Sequence, residues 1–205
     1  VVLKRPYLSG VDISLEKSDI TFVLTLGMAA VAEPLIISLV GEKWRASIMY
    51  LQLLCFAGIL YPLHALNLNM LQVKGRSDLL LRLEIIKKAL AIPVIFVGIF
   101  AGIKWMIVGM IVLSFVAYFL NAFYTKQFIK YTMWQQIRDI LPSFVLALFS
   151  AIAVYFAGEI LPINYLYKLI AQIALGGVLV IAISEMVKLD AYVEIKNILI
   201  IQLKK

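Results

Sequence analysis

The sequence predicts an all-α protein, a polytopic transmembrane helical bundle with about six membrane-spanning helices. Three observations predict it. The chain of 205 residues is 63% hydrophobic and only 15% charged, with a mean hydropathy of +0.99, whereas an ordinary soluble domain is nearer half apolar and a quarter charged. Its apolar residues gather into runs of about 20, the length that crosses about 30 Å of hydrocarbon. The runs lack the alternation of barrel strands, and in lipid only helices and closed barrels satisfy the backbone.

The first run, 20–40, contains Glu33 followed by Pro34. Proline removes a backbone donor and disfavours a straight helix, so a bend is expected there. The second, 47–72, holds Pro62, His64, Asn67 and Asn69. Tyr61, His64, Asn67 and Lys74 fall close to one helical face, a polar stripe that either lines a cavity or bonds to neighbouring helices. Gly75, Arg76, Ser77 and Asp78 read as a tight turn into the third run, 84–103, where Glu84 sits four residues before Lys88. In the fourth run, 105–124, Ser114, Tyr118 and Asn121 share a face. The fifth is 140–158. The sixth, 165–187, carries Lys168, Gln172 and Gly176 on one face, a pattern of helix packing.

The 19 Lys and Arg residues separate by side. Fifteen fall before the first run, around the second connection, between the fourth and fifth runs and after the sixth. Lys43, Arg45, Lys104 and Lys168 make up the other four. Cytoplasmic connections retain positive charge, so the first side is expected to be cytoplasmic, with both termini on it. Trp44, Trp105 and Tyr165 then mark the outer interface as depth anchors. The expected organisation is a cytoplasmic lead-in over 1–19, four spans over 20–125, a cytoplasmic loop over 126–139, two further spans over 140–187 and a cytoplasmic or interfacial tail over 188–205. Val193, Ile195, Ile198, Leu199 and Leu203 in that tail fit a helix lying in the interface.

The net charge of +7 lies between apolar runs, not in a basic stripe with stacking aromatics, so no nucleic-acid partner is expected. Cys55, the single cysteine, can form no disulfide within the chain. There is no zinc-ligand cluster, no Walker-type glycine loop and no Ser, His and Asp set placed to converge, so neither a cofactor nor a catalytic site is expected. Outer connections this short leave little room for the reactive loop of a glycan polymerase or ligase. A chain opening at Val1 without a secretory leader pattern is expected to be the C-terminal piece of a longer protein.

The segment AEPLIISLVGEKW from Ala32 to Trp44, YLQLL from Tyr50, and LNLNMLQVKGRSDLLLRLEIIKK from Leu66 to Lys88 resemble the C-terminal part of bacterial lipopolysaccharide and O-antigen flippases. These belong to the multidrug, oligosaccharidyl-lipid and polysaccharide exporter superfamily. The resemblance implies the C-terminal part of a two-lobe transporter that alternates between inward-open and outward-open states in the bacterial inner membrane. Its substrate would be an undecaprenyl-pyrophosphate-linked oligosaccharide. Its partners would be membrane lipids, the remaining N-terminal part of the same transporter and other polysaccharide-assembly membrane proteins. Lys74 and Arg76 then become first contacts for pyrophosphate, His64 and Asn67 cavity lining, and Glu33 an ion-coupling group. The competing readings are a membrane-embedded polymerase or ligase and a non-transporting scaffold.

Overall fold

The computed structural model describes residues 9–129, 132–160 and 162–187, with side chains described over 20–126, 132–160 and 162–185. Among them are eight α-helices and no strand. In chain order these are α1 (Ser9–Ala30), α2 (Ala32–Leu39), α3 (Ser47–Gly58), α4 (Tyr61–Val73), α5 (Ser77–Ala101), α6 (Ile103–Ile129), α7 (Met133–Ile160) and α8 (Tyr165–Val187), with a 3-10 turn over Glu42–Trp44. The chain is an all-α membrane bundle, as its apolar runs require.

Among the described residues, the helices long and apolar enough to cross a membrane are fewer than the six expected. Ser47–Val73, Ile103–Lys126, Met133–Ile160 and Tyr165–Glu185 each qualify alone. Ile20–Ala30 and Ala32–Leu39 qualify only as a pair, bent by 68°. The break has a local cause: Pro34 has no N–H to give the Ala30 carbonyl, and its ring crowds that carbonyl. The third expected span, 84–103, is helical as part of α5, but Glu84, Lys87 and Lys88 leave an uncharged stretch of only 13 residues in that helix, Ala89 to Ala101. Residues 126–139 are largely helical, since α6 continues to Ile129 and α7 starts at Met133. The expected interfacial tail lies outside the described residues.

Two compact units divide the chain. The first is built on Leu53–Ile140. Here α5 and α6 form an antiparallel hairpin, with α4 packed against both. Leu71, Leu79 and Leu83 are its buried centre, covered by Leu80, Leu120 and Tyr124. The second unit joins Asp19–Gln52 to the chain from Leu141 onward. Its α2 lies along α8, Val31, Val154 and Leu169 form a buried cluster, and Phe22 meets Phe144 edge to face at 5.6 Å. Aromatic side chains such as Phe100, Phe119 and Phe156 remain exposed, which is costly in water and ordinary in lipid. Because lipid is as apolar as leucine, helix association there relies on close packing and polar contacts, which directs attention to the polar groups.

Candidate functional site

In the first unit, α4 turns its polar stripe toward α6. His64 Nδ1 accepts from the Asn121 side-chain amide at 3.1 Å, so its Nε2 carries the hydrogen and donates to Ser114 Oγ, also at 3.1 Å. One turn on, Asn67 and Gln136 exchange two amide hydrogen bonds. Asn67 Nδ2 donates to Gln136 Oε1 at 2.9 Å, and Gln136 Nε2 donates to Asn67 Oδ1 at 3.0 Å. Thr125 Oγ1 donates to the Asn121 carbonyl at 3.0 Å, and the Tyr118 ring stands edge-on to His64. Ser114, Tyr118, Asn121 and Thr125 are the face of α6 that makes these contacts. Asn67, Asn121, Thr125 and Gln136 are all 0% exposed. The structure therefore brings His64 and Asn67 together in an interhelical hydrogen-bond network in which Asn67 is fully buried.

Lys74 and Arg76 sit at the end of the same stripe, on the turn from α4 to α5. The turn follows from Gly75, whose φ of 66° is open to a residue without a Cβ. Its N–H bonds to the Gln72 carbonyl at 2.8 Å while that of Arg76 bonds to Leu71 at 3.1 Å, the paired closure of a Schellman motif. The Arg76 guanidinium forks onto both carboxylate oxygens of Asp78, at 3.0 and 2.9 Å. That hydrogen bond holds the Asp78 carboxyl down at about 2 and raises Arg76 above its already high value. Lys74 is exposed at the helix end.

Glu33 lies in the second unit, beside the α1/α2 break. Its Oε1 accepts from Arg45 Nη1 at 2.8 Å, and its Oε2 is 4.0 Å from Lys168 Nζ. Arg45 also donates to Glu42 Oε1 at 2.8 Å and to the Tyr165 hydroxyl at 3.0 Å. Those hydrogen bonds, Tyr165 first, strengthen the protonated guanidinium. Gln172, one turn after Lys168, donates to the Val154 carbonyl at 2.9 Å. Glu33, Lys168, Gln172, Glu159, Tyr155 and Gln52 line a small open cleft.

Sequence reasoning missed Gln136, because it lay in a segment read as loop. It also missed the partnership of Arg45 and Tyr165 with Glu33. Among the described residues, no group of three His, Cys, Asp or Glu side chains is placed to hold a metal ion.

The chain is 34% identical over 79 residues to the lipopolysaccharide biosynthesis protein WzxC of Escherichia coli, a match covering 38% of this chain. It is 38% identical over 60 residues to the teichuronic acid biosynthesis protein TuaB of Bacillus subtilis, covering 29% of this chain. The chain is related to two bacterial polysaccharide-biosynthesis proteins. The matched stretches span 16% and 12% of those relatives' own lengths. The matches support the flippase-family relationship that the text between Ala32 and Lys88 carries. No protein-family model matches the chain, and no solved structure does.

Proposed function

We propose that this chain is part of a transporter that moves a lipid-linked oligosaccharide across the bacterial inner membrane, without covalent chemistry of its own. The observation that carries the reading is the pair of relatives, named for lipopolysaccharide and for teichuronic acid. These are chemically different polymers, so relatedness between their proteins points to a step both syntheses share, and export of a lipid-linked intermediate is such a step. An apolar bundle with a sparse polar interior suits it, since polar groups inside spans are costly and belong where they face protein or a polar path.

In this reading Lys74 and Arg76 meet the pyrophosphate at the cytoplasmic face, Arg76 through a planar guanidinium whose geometry suits phosphate oxygens. His64 and Asn67 hold α4 to its neighbours in the closed state and become available to sugar hydroxyls only when those helices part. Glu33 couples an ion to the cycle. The termini face the cytoplasm, following the charge asymmetry.

The test follows an undecaprenyl-pyrophosphate oligosaccharide in proteoliposomes containing the full-length protein, by accessibility of its sugar to an impermeant reagent. Protein-dependent arrival at the far leaflet with an unchanged glycan is expected, and Lys74→Ala combined with Arg76→Ala should slow it about tenfold or more, the scale of losing two charge-assisted phosphate contacts. An elongated or transferred glycan would identify a polymerase or ligase. Copurifying partners without lipid movement would identify a scaffold.

A further inference from the structure

We infer that the outward face of α5 binds an anionic phospholipid of the bilayer, whose phosphate sits between Arg82 and Lys88. The inference does not rest on translocation. Between residues 74 and 88 there are five basic side chains and two acidic ones, and both acids are taken, Asp78 by Arg76 and Glu84 by Lys87. Glu84 therefore turns away from Lys88, the partner its spacing suggests. Lys74, Arg82 and Lys88 are left outside those pairs, and all three are exposed. A cationic cluster at one end of an apolar helix attracts anionic headgroups.

The two sides of α5 are unlike. Leu79 and Leu83 are buried in the centre of the first unit. Further along, the same side presses on α6: a Cβ added to Gly109 would fall 2.9 Å from Val94 Cγ1, and one added to Gly98 would fall 2.8 Å from Met106 Sδ. With 3.6 residues to a turn, the opposite side carries Arg82, Ile85, Ile92, Phe96 and Ile99. Arg82 is exposed, and each of the four apolar side chains is more than half exposed. The helix thus turns a basic end and an apolar length outward together.

Arg82 and Lys88 flank Ile85 on this side, about 9 Å apart along the axis. Side chains on a helix lean toward its N-terminus, so the Lys88 stem runs back toward the level of Arg82, and its ammonium reaches the headgroups while its methylenes stay on apolar surface. The two cations then bracket one phosphate. Ile92, Phe96 and Ile99 continue the face for about 10 Å beyond Lys88, where the acyl chains of the same lipid lie. A zwitterionic headgroup brings its own cation to a place that already holds two, so charge complementarity selects the anionic lipid.

The experiment is native mass spectrometry of the full-length protein, released from detergent micelles carrying phosphatidylglycerol or phosphatidylcholine. The wild type is expected to retain phosphatidylglycerol at a lipid concentration about tenfold lower, the scale of two basic side chains at a membrane surface. Arg82→Gln combined with Lys88→Gln should bring the two lipids level. Lys74→Ala combined with Arg76→Ala should keep the preference, which separates this site from the proposed pyrophosphate contact. Should the first double variant fail to fold, a photoactivatable phosphatidylglycerol on the wild type decides the same point, with crosslinks expected within residues 81–99. Equal retention of both lipids by the wild type would overturn the site, and is the outcome if another part of the transporter covers this face. Crosslinks confined to other helices would overturn it too, as would a preference lost with Lys74 and Arg76 and kept without Arg82 and Lys88.

Discussion

Asn67 and Gln136 exchange two amide hydrogen bonds in a fully buried position, so removing either side chain takes two hydrogen bonds from the other. Replacing Asn67 by leucine should cost about 1–3 kcal/mol, most of it the loss of two buried amide hydrogen bonds to Gln136. The double variant Asn67→Leu, Gln136→Leu should be less destabilised than the sum of the two singles, by about 0.5 kcal/mol or more. Equilibrium unfolding in mixed micelles measures the cycle, and strict additivity would mean that the two amides are not coupled. Asp78 poses a pH question of the opposite kind. Arg76 lowers its carboxyl to about 2 from an ordinary 3.8, so whatever the fork adds to the turn is fully present above about pH 4 and is lost as pH falls through 2. Hydrogen exchange over 75–78 should therefore show the same wild-type to Asp78→Asn difference at pH 5 and at pH 8. A difference that changed across that interval would assign the titration to another group.

Elements were legible wherever a run of apolar residues was long, because lipid leaves a helix as the simplest way to satisfy the backbone. The bend after Ala30 was legible too, since proline acts within four residues of itself. Helix ends near Ile129 and Met133 were not: hydropathy marks where the chain meets water, and a helix that continues past the interface carries Lys126 and Arg138 without breaking. That is why Gln136 read as loop and its partnership with Asn67, 69 residues away, went unseen. The Arg45 contact with Tyr165 spans 120 residues, beyond any local periodicity. The α7/α8 packing shows what such distant contacts demand of single positions. Gly158→Ala would drive a methyl against the Gln172 amide and close to the Lys168 side chain, at 3.1 Å from its Cε. A loss of about 1–3 kcal/mol is expected, as for other overpacked sites. Gln172→Ser in the same chain should restore most of it, and thermal unfolding of the pair against each single change provides the check.

For the whole molecule, the open issue is whether α5 crosses the membrane. Its 25 residues reach about 37 Å, enough to span, but its uncharged portion covers only about 20 Å. Charge near one end need not prevent crossing. Lys87 pairs with Glu84, and a lysine stem can lie along apolar surface while its ammonium reaches the headgroups. The turn before α5 holds Lys74 and Arg76, while the other end carries Lys104 and Trp105; in the orientation proposed from the charge asymmetry, the Arg76 end would face the cytoplasm and the tryptophan the outer interface. We therefore expect cysteines placed at Ser77 and at Lys104, in a Cys55→Ser background, to react with an impermeant maleimide from opposite faces of sealed vesicles. Labelling of both from one face would make α5 a re-entrant or surface helix, and the connection carrying Lys74 and Arg76 would then share a compartment with Lys104. The charge asymmetry would no longer order the connections, and the pyrophosphate contact proposed for Arg76 would lose its cytoplasmic address.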